Sequence, residues 1–287
     1  MTITAKILCK SKTLYSNSVL RSLQLRYPRF IHAEFMTHRV FSRNASSSRA
    51  VPVEKLIADI LEDLAIPVEW GKNRPGMQAK EQLDFDAMEK ALTLWVASSR
   101  SAIRHASELH KLSAHKQIVN RVLEPYSHIN VVVTATEWDN FFELRRHPDA
   151  QPEMRALADA IWEADQEAEA KLLHPGEWHL PYIDPDDAAS LEWDPLIGTP
   201  PPWVIRRSVA RCARVSYYTH EGRETSVDED ARLYHRLVGS RPVHASPAEH
   251  QATPDYPSDS NDSGWQYPHQ WGNFRGGWRQ FRQLLPF

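Results

Sequence analysis

The sequence predicts an α+β fold. Strand-like segments cluster near the N-terminus, and segments with helical hydrophobic periodicity dominate the rest of the chain. With 287 residues and 41% hydrophobic content, the chain has ample material for a packed core.

Taken in order, "ITAKILCK" (3–10) alternates loosely and reads as a strand. "SLQLRYPRFIHAEFM" (22–36) is strand-like up to Pro28 and helical after it. A helix is expected over 53–66, where apolar residues recur at Val53, Leu56, Ile57, Ile60, Leu61 and Leu64. A long helix is expected over 84–114. "VLEP" (122–125) breaks the pattern, "TATEWDNFFELRR" (134–146) resumes it, and 151–173 is read as a helix with Pro152 in its first turn. Residues 174–202 hold seven prolines and no helical period, a long connection for a compact domain. "WVIRRSVARCARVSYY" (203–218) reads as a helix. So does 226–240, opened by Ser226 with Glu229 three residues on, a capping box. The tail, 254–287, is rich in Trp and Gly; it is expected to pack on the core as an aromatic strap or to cap a ligand site.

Composition narrows the function classes. No apolar run is long enough to span a bilayer, and the N-terminus lacks a secretory h-region, so a cytoplasmic protein without membrane partners is expected. Cys9 and Cys212 are the only cysteines, which fits a reducing compartment and argues against a zinc site. The net charge of −3 hides a basic N-terminal block: residues 1–49 carry nine Lys/Arg against Glu34 alone. That local excess points to an anionic ligand, while the overall charge argues against a nucleic-acid coat.

Three segments concentrate polar chemistry. In "EFMTHRVFSRNASSSRA" (34–50), Arg39, Arg49, Ser42, Ser46, Ser47, Ser48 and Asn44 suit phosphate oxygens, or else form a Ser-rich capping loop. In 120–146, Arg121, Asn140, Arg145 and Arg146 line an anion site or are simply solvated. In 212–250, His244, Glu249 and His250 surround Pro247, which interrupts helical ligand spacing, so no metal is expected. His105, His110 and His115 step by five residues and share no helix face; they read as surface histidines. No nucleophile elbow frames the serines, which excludes a conventional hydrolase triad.

Together these segments resemble the flavin-dependent thymidylate synthases. The family carries Arg-His-Arg, seven residues, then Ser. Here "THRVFSRNASSSR" gives Thr37, His38 and Arg39, then Ser47, with Asn44 and Arg49 in register. "NRVLEP", "NFFELR" and "AQPEM" are similar to the family's downstream elements, and "CARVSYY" and "VHASPAEH" to a block that the family places first. That block comes last here, so the resemblance implies a circular permutation within one domain. Residues 1–173 hold the signature and helical part, 174–202 are the linker, and 203–253 are the displaced block, with the tail over 254–287. The fold implied is a central antiparallel sheet with long helices.

The resemblance further implies a homotetramer with active sites shared between subunits. The reaction implied moves a one-carbon unit from methylenetetrahydrofolate to C5 of dUMP, using FAD and NADPH. By position, Ser47, Arg49, Arg121 and Arg145 match nucleotide-binding residues, with Arg145, His244 and Ser47 as the catalytic set. His38, Arg39, Asn44, Asn140, Ser216, Ser246 and Glu249 match cofactor-contacting positions. Several positions depart from the family: Thr37 and Ala45 in the signature, Glu34 before it, and Thr134 and Thr136 where an Asn and an Arg are common. The departures leave open hydroxymethylation of dUMP or dCMP without net reduction, and a nucleotide-binding homologue without chemistry.

Overall fold

The computed structural model describes residues 2–184, 202–219, 222–259 and 263–286. Its centre is a five-stranded sheet in the order β3-β4-β2-β1-β5, formed by β1 (Thr4–Thr13), β2 (Val19–Pro28), β3 (Ser42–Ala45), β4 (His128–Ala135) and β5 (Lys171–Leu173). β1, β2, β4 and β3 pair antiparallel, and β5 joins β1 in parallel. The α+β class with a mainly antiparallel sheet is therefore what the chain adopts.

Strand alternation gives the sheet two different faces. Leu23, Leu25 and Tyr27 of β2, with Ile129, Val131, Val133 and Ala135 of β4, point to one face. There they pack on Phe141 and Phe142 of α5 (Asp139–Arg145) and on Met154, Leu157 and Ile161 of α6 (Pro152–Glu167). The other face carries Val132, which packs on Tyr182, Cys212 and Val215. The same face holds a row of buried polar side chains, among them Ser11, Ser22 and Thr134. A second apolar cluster joins α2 (Val53–Glu62) to α3 (Phe85–Lys111) and to Val119 and Leu123. Between the sheet strands lie two one-turn helices, α1 (His32–Phe35) and α4 (Lys116–Val119).

Further along the chain lie α7 (Pro202–Arg214) and α8 (Val227–Leu237). The Ser226–Glu229 capping box is present in both directions. Buried Asp230 ties the two helices together, bonding Arg207 at 3.2 Å, lying 3.5 Å from Arg211, and pairing with Arg214. No helix among the described residues is long and apolar enough to cross a membrane.

Several boundaries differ from the sequence reading. The helix expected over 151–173 ends at Glu167, because Ala168 turns to extended backbone and the chain enters β5. Thr134 and Ala135, read as helical, end β4 instead. The helix expected through Tyr218 stops at Arg214, where Val215 adopts φ 57°. Of the Pro-rich connection, 174–184 are not an exposed linker. His179 is 1% exposed, and its backbone pairs with that of Ala252. Residues 185–201 lie outside the described residues.

The tail is a strap. β7 (Trp278–Gln280) pairs with β6 (Ala252–Pro254), and Phe274 and Trp278 are fully buried against Leu20 and Leu173. Buried Asp255 gathers the strap by accepting from Tyr267 N and Trp271 Nε1.

Candidate active site

The signature segment folds back on itself just after α1. Thr37 N and Thr37 Oγ1 both donate to the Glu34 carbonyl, and the His38 N–H reaches the Phe35 carbonyl. This turn drives His38 inward between Phe41 and Phe141, with ring centroids 5.8 and 4.9 Å away. Arg145, the last residue of α5, donates from Nε to His38 Nε2 at 2.9 Å and from Nη2 to Thr37 Oγ1 at 3.3 Å. A guanidinium only donates, so His38 Nε2 accepts and its proton sits on Nδ1. Burial, with the charges of Arg145 and Arg43 adding to it, pushes the His38 pKa down to about 4. The imidazole is therefore neutral at pH 7, held as an acceptor that aims the guanidinium.

Beside this pair opens a cleft of about 580 Å³, lined among others by His38, Thr136, Asn140, Phe141, Arg275 and Gly276. That volume suits a small-molecule ligand. The strap forms one wall. Arg275 N donates to Thr136 Oγ1, Ser18 Oγ donates to the Arg275 carbonyl, and Ser16 Oγ to that of Gly276. Gly276 has φ 67°, and a Cβ there would meet Ser18 Cβ at 2.3 Å, so the close approach requires glycine.

A second group forms where residues 246–250 meet β3. The side-chain amide of Asn44 contacts Ser246 and His250, which are some 200 positions away in sequence. Ser246 and Glu249 share one 3-10 turn. Glu249 lies 3.4 Å from Arg282 of the strap, and burial raises its pKa against the opposing pull of Arg282 and Arg43.

The third group holds the end of the signature. Fully buried Asn120 donates to the carbonyls of Ser48 and Val51, at 2.7 and 3.0 Å. Glu124 accepts from Ser48 Oγ at 2.6 Å and from Arg121 Nη1 at 3.0 Å. Ser47, Arg49 and Arg121 are exposed on this framework. Asn120 and Glu124 were missed as site-shaping residues; Asn120 adjoins Arg121 in the sequence but shows no pattern that marks a clamp.

Some expected donors are engaged elsewhere. Ser42 is buried and bonds Asn273 and Gln280, and Ser48 is spent on Glu124, so neither is a free phosphate donor. Arg146 pairs with Asp159 and stacks over Trp162, a surface role rather than an anion-binding one. Arg39 and His244 are exposed, and Ser216 Oγ accepts from Tyr218 N; among the described residues these three stand outside the bonded groups. The departure at Thr134 lies fully buried beneath the sheet surface, and that at Thr136 is covered by the strap.

The sequence matches the thymidylate synthase complementing protein family over residues 18–168, more than half of the chain. No protein of curated function matches. Among solved structures, the UMP/dUMP methylase PolB from Streptomyces cacaoi bound with 5-Br dUMP is similar at 14% identity. That alignment covers 58% of this chain and 90% of that chain, with a TM-score of 0.47. The same protein bound with 5-Br UMP gives 15% identity, 58% and 89% coverage and a TM-score of 0.48. The family match spans the signature, its Asn120–Glu124 framework and the Arg145–His38 pair, and on that basis the chain belongs to the thymidylate synthase complementing proteins, the flavin-dependent thymidylate synthase family of methyltransferase-type enzymes.

Proposed function

We propose that this protein transfers a one-carbon unit from methylenetetrahydrofolate to C5 of a deoxypyrimidine monophosphate, as reductive methylation of dUMP to dTMP with FAD and NADPH. The observation that carries the reading is the Arg145–His38 pair at the cleft. Uracil C5 is a poor nucleophile and attacks only once the ring is made electron-rich, with enolate-like negative charge spread onto the ring oxygens, and that charge must be stabilised. A guanidinium fixed through Nε by a neutral imidazole keeps N–H groups for that charge, and it is oriented before reaction begins. Ser47, Arg49 and Arg121 supply the phosphate contacts in this reading. Asn44, Ser246, Glu249, His38 and Asn140 would hold the flavin, which supplies the redox and one-carbon chemistry when bound.

The three groups form one site most simply when copies of the chain assemble, so a homotetramer with shared sites is part of the proposal. α3 supports it: Phe85, Met88 and Leu92 lie on one helix stripe and are exposed at 72%, 37% and 39%. Leu92→Glu is expected to lower the assembly mass measured by light scattering, with the far-UV spectrum unchanged; an unaltered mass would exclude this stripe from the interface. The chain order, with 203–253 packed beside the signature strand, is in this account a circular permutation of the family's blocks.

Arg145→Ala is expected to lower kcat/KM for dUMP by about 10²–10³-fold, with the loss mainly in kcat. Arg145→Lys is not expected to restore it, because an ammonium lacks the fork that reaches His38 and substrate together. Near-normal kcat in Arg145→Ala would overturn the assignment. A second reading, hydroxymethylation without net reduction, is favoured by one observation. Thr134 is fully buried and engaged by His250, and so is withdrawn from cofactor contact.

A further inference from the structure

A chain of side-chain hydrogen bonds crosses the sheet beneath the signature strand. Ser11 Oγ bonds His179 Nδ1 at 2.8 Å, and His179 Nε2 bonds Ser22 Oγ at 2.8 Å. Ser22 Oγ meets Thr134 Oγ1 at 2.5 Å, and Thr134 Oγ1 bonds His250 Nδ1 at 2.8 Å. His250 Nε2 then meets the Asn44 amide at 3.0 Å. Ser22, Thr134 and His250 are 0% exposed, His179 1% and Ser11 3%. Ser22 and Thr134 are direct cross-strand partners, so the sheet register itself builds the middle of the chain.

The bonds of His250 to Asn44 and to Thr134 take their direction from one end. The Asn44 amide terminus facing His250 also lies 3.1 Å from the Ser246 carbonyl oxygen and 3.3 Å from that of Arg43. Carbonyl oxygens only accept, so this terminus is the nitrogen. His250 Nε2 must then accept. Burial without an anionic partner keeps both imidazoles neutral, with pKa values pushed down to about 3. Each ring therefore has one donor and one acceptor. His250 donates from Nδ1 to Thr134; Thr134 and Ser22 share the next proton, and His179, whose Nε2 also lies 3.1 Å from Cys9 Sγ, bonds Ser22 and Ser11. The Asn44 oxygen is left on the exposed side, 3.3 Å from Ser246 Oγ, with a second lone pair unused.

We propose that His250, wired through Thr134 and Ser22 to His179, is a positioning residue that sets ligand specificity at Asn44. It holds the amide with its oxygen outward, so that Asn44 accepts from a cyclic imide N–H, the donor edge of a uracil or an isoalloxazine ring. A cytosine ring nitrogen bears only a lone pair and is refused, and a phosphate oxygen is refused for the same reason. The specificity rests on the nucleotide or flavin of the proposed function reaching Asn44; the wiring does not.

The test has two parts. Nitrogen NMR of the ligand-free wild type should find the His250 proton on Nδ1; a proton on Nε2 overturns the wiring whatever the protein binds. Calorimetry should then find that N3-methylation weakens binding about tenfold or more, for dUMP or for the flavin. The arm that loses affinity names the ring, and if it is the nucleotide, dCMP should be weak as well. Thr134→Val removes the acceptor of His250 without touching ligand. The proton should move to Nε2, the amide should turn over, and discrimination should fall to within about twofold, whereas Thr134→Ser should keep it. Discrimination unchanged in Thr134→Val, or absent from the wild type in both arms, contradicts the proposal. A wild type with the Nδ1 tautomer that binds neither ring sinks the functional reading and the specificity, and leaves the wiring standing.

Discussion

Asp230→Ala is expected to destabilise the protein by about 3–5 kcal/mol. Asp230 is fully buried in the first turn of α8 and is the anion for Arg207 and Arg211, themselves 6% and 0% exposed, and for Arg214. It also accepts from Thr225 Oγ1 at 3.2 Å. Removing the carboxylate leaves buried Arg207 and Arg211 with the exposed Glu224 carboxylate, 3.8 and 2.9 Å away, in place of their buried anion, which costs far more than the net worth of the pairs. Asp230→Asn keeps the shape but not the charge and is expected to be nearly as damaging. The Arg223–Glu229 pair, between the residue four before the start of α8 and that helix's first turn, is the control: breaking it by Arg223→Ala, which spares the capping box, should move the urea midpoint little. A midpoint unchanged in Asp230→Ala would show that α7 and α8 are held by apolar contacts alone.

Acidification from pH 6.5 towards 3 is expected to unfold the protein progressively. His179 and His250 stay neutral in the fold until about pH 3, whereas unfolded histidines take up protons near 6.5. Their partners are Ser11, Ser22, Cys9, Thr134 and Asn44, none of them anionic. Across this window the unfolded state binds more protons, so stability is full above pH 6.5 and falls as pH drops. Each group contributes about 1.4 kcal/mol per pH unit. His38 and His128, pushed down to about 4 by burial and nearby arginines, add to the loss in the upper part of the window. Asp63, held at about 2 chiefly by its hydrogen bonds to Arg26 and Thr2 working against burial, acts in the same direction at lower pH. Urea midpoints measured from pH 7 to 4 should fall steeply, and His250→Asn should flatten the slope by one proton. A flat profile to pH 4.5 would mean that these rings are not held neutral.

The parts of the fold legible in the sequence are those set by local chemistry. The Ser226–Glu229 box, the N-terminal strands and the long helix that starts beside Asp84 arise from side chains within a few residues of one another. The central strand β4 formed no part of the sequence expectations. Its run from Val131 to Ala135 is buried on both faces, and such a run shows no alternation to read. β5 was absorbed into the preceding helix because Leu172 and Leu173 satisfy either period. The site was partly legible. Asn44 meets Ser246 and, separately, Arg145 meets His38, and Arg121 sits on the framework of the signature loop. What stayed hidden depends on the sheet register. Nothing near His179 in a proline-rich stretch signals that Ser11 and Ser22 await it, and nothing near Thr134 signals His250. The aromatic strap is expected from the sequence, but its contacts are hidden for the same reason: Arg275 and Gly276 meet Thr136, Ser16 and Ser18 only through the fold.

The most direct test of the functional account is mass spectrometry of the nucleotide after incubating the purified protein with dUMP, methylenetetrahydrofolate, FAD and NADPH. The account predicts dTMP, formed only when the reductant is present and lost in Arg145→Ala. A hydroxymethylated product made without reductant would replace methylation by the second reading. Unchanged dUMP and dCMP from protein shown to be folded and assembled would contradict one-carbon transfer at this site.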